Sequence, residues 1–234
     1  MALSILLQKI KELEPESDFT VDLPLITSSS GRRYYAKVGD LSEQEQYLGE
    51  VESLKHIVHA APGLAPRVLV SGTNDEECPY FISEYKDVMP HSSASMTKLA
   101  TRLATELHVH KSEQGFGFGV PTFCGLTRLE NGWFDTWEKC FDALIGSLQE
   151  GLEKRGSNVL CEKIASVRKT VIPYLLQPLR VDPVILHGDL WSGNTGVDST
   201  SGEPIVYDPS SFYGHNEADL AIARIFGGFP QTFF

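Results

Sequence analysis

Two short apolar runs, Val184–His187 and Pro204–Tyr207, each end in an aspartate, Gly188-Asp189 in the first case and Asp208-Pro209 in the second. Strands of this length leave both carboxylates in loops at strand ends, where a ligand can approach them. Asn194 follows Asp189 in the segment His187-Gly188-Asp189-Leu190-Trp191-Ser192-Gly193-Asn194. Asn194 and Asp208 thus offer hard oxygen ligands from adjacent loops, an arrangement that suits Mg2+, which takes one or two protein groups and completes its shell with phosphate oxygens and water. Asp189 is placed to accept the proton of a hydroxyl undergoing phosphoryl transfer. Each residue alone reads as an ordinary turn former. Their spacing is what predicts Asp189 as catalytic base and Asn194 with Asp208 as metal ligands on the phosphates of ATP.

The chain has 234 residues, 41% hydrophobic and 22% charged, enough for one large globular unit or two modest lobes. With 31 acidic against 20 basic residues and no Lys/Arg-rich run, nucleic acid is not an expected partner. A formal charge of -11 repels a nucleotide, so binding ATP calls for a divalent metal and a few well-placed cations. Cys78, Cys124, Cys140 and Cys161 are scattered without a CxxC pair and are expected as buried thiols in a reducing compartment. Met1–Leu13 carries Leu3, Ile5, Leu6, Ile10 and Leu13 at helical spacing with lysines between, which predicts a short amphipathic helix and not a signal peptide. No run reaches the length of a membrane span, and a cytoplasmic protein is expected.

Residues Phe19–Val38 form two β-rich runs around the turn cluster Ser28-Ser29-Ser30-Gly31. In the second run the strand period puts Tyr35 and Lys37 on one face and Tyr34, Ala36 and Val38 on the other. A helix follows over Ser42–Ala60, with Ser42 and Glu45 as capping box, and then strands over Arg67–Gly72 and Pro79–Tyr85. Further helices are predicted over Met96–His110, Thr136–Leu152, Val159–Leu176 (kinked or ended by Pro173) and Asn216–Phe226. The order points to an α+β, protein-kinase-like two-lobed fold. A small β-rich N-lobe over residues 1–85 would bind nucleotide, and a mainly helical C-lobe over 86–234 would carry the catalytic loop.

Within that frame Lys37 is the candidate phosphate-binding lysine and Glu50 its partner, although a strand lysine or helix glutamate alone is ordinarily solvated. The strand ending in Glu84-Tyr85 leads into the interlobe connector, so Glu84, Tyr85 and Lys86 are candidates for adenine contact. His187 reads as a loop brace, and Asp219 as a brace for the catalytic loop. Trp191 is either core packing or a platform for a sugar ring, and His215 and Glu217 are candidates for hydroxyl or amine recognition.

The runs LHGDLWSGN and YDPSSFYGHNEADLAIARIFGGFP, with FGFGVPTFCG at Phe116–Gly125, resemble the fructosamine-3-kinase and ketosamine-3-kinase family, also called protein-ribulosamine 3-kinases. This family lies within the aminoglycoside-phosphotransferase-like kinases. The resemblance, from Tyr34 to Pro230, implies ATP- and magnesium-dependent phosphorylation of the 3-hydroxyl of ketosamines on glycated proteins or as small molecules. The 3-phosphate then decomposes and restores the amine. It implies Asp189 as proton acceptor, Asn194 and Asp208 toward metal, Lys37 with Glu50 toward phosphate, and Trp191 in the sugar site. Two departures stand out: Asp18–Gly31 is a short nucleotide-covering hairpin whose only glycine is Gly31, and the family continues with more helix where this sequence ends at Phe234. The alternatives are a small-molecule hydroxyl kinase of aminoglycoside or choline type, and a truncated, inactive kinase that binds nucleotide or a partner protein.

Overall fold

The computed structural model describes residues 2–234; Met1, the first residue of the expected N-terminal helix, lies outside the described residues. Helix α1 (Ala2–Leu13) lays Leu6 and Ile10, one helical turn apart and fully buried, on a sheet of β1 (Phe19–Asp22), β2 (Leu25–Ser28), β3 (Arg33–Val38), β4 (Val68–Thr73) and β5 (Pro79–Glu84). Neighbouring strands are antiparallel in the order β1-β2-β3-β5-β4. Strand β3 alternates as the sequence predicts: Tyr34 and Ala36 are buried against α1, while Tyr35 and Lys37 face the other side, opposite Ser83 and Phe81 of β5.

Three strands, not two, lie between α1 and the next long helix. The run before the serine turn folds back at Leu23-Pro24, where proline has no N–H to continue a ladder, and Asp22 pairs with Leu25. The short Asp18–Gly31 segment therefore holds a complete two-strand hairpin. Gly31, at φ 88°, closes the following turn through its N–H to Ser28 O at 2.9 Å.

Helix α2 (Gln44–Ala60) has Glu43 as its N-cap, one residue past the predicted Ser42. A 3-10 turn over Leu41–Glu43 comes first, and the Glu43 carboxylate accepts from the Asp40 backbone N–H at 2.7 Å, so the box starts at Asp40 rather than Ser42. Glu45 is drawn away by Arg128 at 2.7 Å. After the connector strand β6 (Val88–Met89), helix α3 (Ser93–Thr105) stops before His110, with a 3-10 turn over Leu107–Val109. Short strands β7 (Phe116–Gly117), β8 (Thr122–Cys124), β9 (Thr127–Leu129) and β10 (Trp133–Phe134) lead to α4 (Trp137–Lys154), whose N-cap is Thr136.

The single helix expected over Val159–Leu176 is divided into α5 (Asn158–Ser166), a π-helical turn at Val167–Val171 and α6 (Ile172–Leu176). Pro173 cannot donate to the preceding turn and its ring crowds the carbonyl there, so the chain widens just before it. Strands β11 (Val184–Ile185), β12 (Thr195–Asp198), β13 (Pro204–Val206) and β14 (Tyr213–Gly214) and helix α7 (Glu217–Phe226) complete the fold. Strand β12, unpredicted, pairs with both β13 and β6, which docks the connector onto the hairpin that carries Asp208. The larger of two core clusters runs from Leu54 and Leu64 through Leu99 and Leu103 to Ile185 and to Leu190, within the segment His187–Asn194.

Cys140 and Cys161 are buried as expected, whereas Cys78 is partly exposed and Cys124, at the end of β8, is exposed. Among the described residues no helix is long and apolar enough to cross a membrane.

Burial lowers the proton affinity of His56, His91, His110, His187 and His215. Their folded pKa values lie below the unfolded value, so on acidification the unfolded chain takes up protons first. The stability these groups contribute is present above about pH 6.5 and is lost as pH falls below it. Thermal melting should accordingly come at a lower temperature at about pH 5.5 than at about pH 7.5. An unchanged or higher melting temperature in the acid sample would contradict this.

Candidate active site

The segment His187–Asn194 is held from below by one carboxylate. Asp219, fully buried on α7, accepts from the His187 N–H and the Gly188 N–H at 2.8 Å each and lies 3.0 Å from His108 Nε2. Burial works to raise its pKa, yet the His108 hydrogen bond and charge, together with His187, outweigh this and hold the carboxyl below its usual range. The brace assigned to Asp219 is thus present, and it acts on two consecutive backbone amides. Gly188, at φ 82°, is required where it stands because a Cβ would collide with the Ser210 carbonyl oxygen.

His187 is fully buried, which lowers its pKa and keeps the ring neutral. Its Nε2 lies 3.0 Å from the Tyr207 carbonyl, which can only accept, so Nε2 carries the proton. Nδ1 is then free to accept from the Asp189 N–H at 3.2 Å. His187 therefore ties the Asp189 backbone to the end of the Asp208 hairpin.

Asn194 Nδ2 donates to the Asp189 backbone oxygen and to Asp189 Oδ2, both at 3.0 Å. A carboxylate only accepts, so the amide nitrogen must face Asp189, which leaves Asn194 Oδ1 for another donor or a cation. The same nitrogen is 3.5 Å from the Asp208 carbonyl, and Tyr207 N–H donates to Asn194 O at 3.0 Å. Asp208 itself is exposed and held at φ 51°, a left-handed conformation that costs a non-glycine residue of order 1 kcal/mol or more and is found where a side chain must be aimed. These three predicted residues form one hydrogen-bonded group.

Lys37 Nζ and Glu50 Oε2 meet at 2.7 Å across β3 and α2. Burial opposes the lysine charge, but Glu50 overcomes it and raises the Lys37 pKa; burial likewise pushes the Glu50 carboxyl up, against the pull of Lys37. Lys37 also lies 5.4 Å above the Tyr47 ring. Between this pair and the connector is a cleft of about 310 Å³ whose walls include Tyr35, Phe81, Ser83, Glu84–Lys86 and Asp208, with Pro24 of the β1–β2 hairpin over it. The side chains of the connector are paired: Glu84 with Arg67 at 3.2 Å, and Lys86 with Glu84 at 3.5 Å and Asp198 at 3.4 Å.

The remaining predicted residues are placed elsewhere. Trp191 is exposed, lies over Gly193 and is 6.4 Å from the Phe226 ring. His215 and Glu217 line a separate apolar hollow of about 430 Å³ with Trp137, Val171 and Leu175. Sequence reading missed Cys124, whose Sγ lies 3.6 Å from Asp189 Oδ1. No local pattern marks a contact between a β-hairpin and a loop so far along the chain.

The profile of the Fructosamine kinase family matches residues 8–234. The chain belongs to this family. It is 31% identical to the ketosamine-3-kinase of Mus musculus over 228 residues, covering 86% of this chain and 72% of the mouse protein. It is 32% identical to a chloroplastic protein-ribulosamine 3-kinase of Arabidopsis thaliana over 157 residues, 66% of this chain and 47% of that protein. Among solved structures, one from Haemophilus somnus 129PT, provisionally assigned as a fructosamine-3-kinase, superposes with a TM-score of 0.73 at 21% identity over 93% of this chain and 73% of its own. Aminoglycoside phosphotransferase APH(4)-Ia, captured with ADP and hygromycin B, superposes with a TM-score of 0.58 at 16% identity over 92% of this chain and 74% of its own. These likenesses establish the kinase-like fold, and membership of the fructosamine kinase family makes this chain a phosphotransferase.

Proposed function

We propose that this fructosamine kinase family member transfers the γ-phosphoryl group of ATP to the 3-hydroxyl of ketosamines, protein-bound ribulosamine first and fructosamine second, and so initiates deglycation. The observation that carries the proposal is the Asp189–Asn194–Asp208 group, in which Asn194 Nδ2 pins the Asp189 carboxylate and lies 3.5 Å from the Asp208 backbone carbonyl, while the Asn194 amide oxygen and the Asp208 carboxylate are ligands of the kind magnesium takes. Asn194 Oδ1 and the Asp208 carboxylate would hold that ion, which supplies charge neutralisation on the phosphates. Asp189 accepts the proton of the acceptor hydroxyl as its oxygen bonds to the γ-phosphorus; the bond to the β-phosphate oxygen breaks and ADP leaves.

Lys37, held by Glu50, supplies positive charge to the phosphates. The connector would meet adenine through the backbone of Tyr85 and Lys86, because the Glu84 N–H is already committed to Arg67 O at 3.0 Å. On this reading residues 1–85 form the nucleotide lobe and 86–234 the acceptor lobe. Trp191, whose backbone N–H donates to Asp189 O at 3.0 Å, serves as a sugar platform near the base, whereas His215 and Glu217, in their separate hollow, do not enter this reading.

The kinase-like fold shared with aminoglycoside phosphotransferases supports a second reading, a small-molecule hydroxyl kinase. A panel of ribulosamine, fructosamine, aminoglycoside, choline and free sugar, assayed for Mg-ATP turnover, separates the two. Turnover confined to the ketosamines is expected, and turnover confined to an aminoglycoside or choline would replace the proposal with the second reading.

A further inference from the structure

Asp189 has two carboxylate oxygens, and they are not equivalent. Oδ2 is taken by Asn194 Nδ2 at 3.0 Å, which leaves Oδ1 to receive the proton of the acceptor. The group standing at Oδ1 is the Cys124 thiol, at 3.6 Å. Partial desolvation and then the Asp189 charge and hydrogen bond raise its pKa although one side of the residue is open to solvent, so it is present as S–H, a weak donor aimed at the oxygen that reacts.

Cys124 is held there by a built connection to α2. Residue 49 is a glycine in the middle of that 17-residue helix, where glycine costs about 1 kcal/mol relative to alanine. The space explains it: a Cβ at Gly49 would collide with the Pro121 carbonyl oxygen, immediately before β8. The β8–β9 hairpin is pinned to the same helix by Arg128, whose guanidinium grips Glu45 at 2.7 and 3.1 Å. Asn131 closes its base by donating to Val120 O and Thr122 Oγ1, both at 2.9 Å. Gly49 directly precedes Glu50, the partner of Lys37.

We infer that the Thr122–Leu129 hairpin is a further positioning and specificity element of the reaction: it holds Cys124 at the reactive oxygen of Asp189, so that an acceptor hydroxyl must displace the thiol, and it sets that contact in register with Glu50 and Lys37. This rests on the role proposed above for Asp189. A thiol is a donor weak enough to yield, whereas a hydroxyl at the same place would compete.

Cys124→Ser should therefore raise the acceptor KM by about 3- to 10-fold, the size of one net hydrogen bond, and leave the KM for ATP within about 2-fold. Cys124→Ala, which leaves no donor at Oδ1, should not raise the acceptor KM. An unaltered acceptor KM in Cys124→Ser would overturn the inference.

The link to α2 is read without turnover, by maleimide labelling of Cys124 in the intact protein followed by peptide mass spectrometry. Arg128→Gln should accelerate labelling several-fold at unchanged melting temperature, and an unchanged rate would overturn the link. A wild-type protein that phosphorylates no ketosamine would overturn the proposed function instead, and the labelling result would still decide whether the hairpin is anchored as described.

Discussion

Replacing Asp189 by Asn should lower kcat by about 100- to 10,000-fold, the range for loss of a positioned general base, while the fold and the binding of Mg-ATP survive. The substitution is nearly isosteric, and the side chain is only partly buried, so little packing is disturbed. Asn194 Nδ2 keeps an acceptor if the new amide turns its oxygen toward it, so the loop retains the bond seen at Oδ2. What is lost is the ability to take a proton at Oδ1. A thermal-shift titration with Mg-ATP beside steady-state kinetics separates the two quantities, because binding to the native state raises the melting temperature by mass action. A variant that keeps more than about a tenth of wild-type turnover would remove Asp189 from the role of base, since that is less than the smallest effect such a loss produces.

The second large effect is on stability. Asp219→Ala should destabilise the protein by about 3–5 kcal/mol, the cost of leaving two buried backbone N–H donors without an acceptor. The substitution strands the His187 N–H, the Gly188 N–H and His108 without their common acceptor, where Asp219 and His187 are fully buried. For a chain of this size the loss corresponds to a fall in melting temperature of roughly 10 °C. Asp219→Asn should be milder, since one amide oxygen can still serve one of the two backbone donors. Differential scanning calorimetry of the three proteins would test the order; equal melting temperatures for wild type and Asp219→Ala would show that the carboxylate braces nothing of consequence. Because the same residue holds the segment leading into Asp189, kcat should fall in Asp219→Asn even where it remains folded.

Features set by neighbours in sequence could be read from it. The alternation of β3 put Lys37 on the face of Tyr35, and the structure has it there, joined to Glu50 on the next helix. The spacing of Asp189, Asn194 and Asp208 anticipated a group that proves to be hydrogen-bonded. The amphipathic spacing of Leu6 and Ile10 anticipated α1.

What escaped depends on partners far along the chain. The capping box lies at Asp40 and Glu43, on the 3-10 turn before α2, while Glu45 is claimed by Arg128, and nothing near Glu45 announces that competitor. Pro24 divided one expected strand into a hairpin, and β12 became a strand because the connector supplies β6 as its edge partner. Gly49 was a visible oddity in a helix, but its reason, the Pro121 carbonyl, exists only in three dimensions. His215 and Glu217, read as candidates for hydroxyl or amine recognition, line a different hollow, where the start of α7 and the residues just before it meet α4 and α6.

The most direct test of the central claim is mass spectrometry of a lysine peptide carrying ribulosamine, incubated with the protein and Mg-ATP. The expected result is gain of one phosphoryl group on the sugar, then loss of the sugar and recovery of the free lysine, with neither step in the Asp189→Asn protein. A ribulosylated peptide that stays unmodified under conditions where the same protein binds Mg-ATP would contradict it.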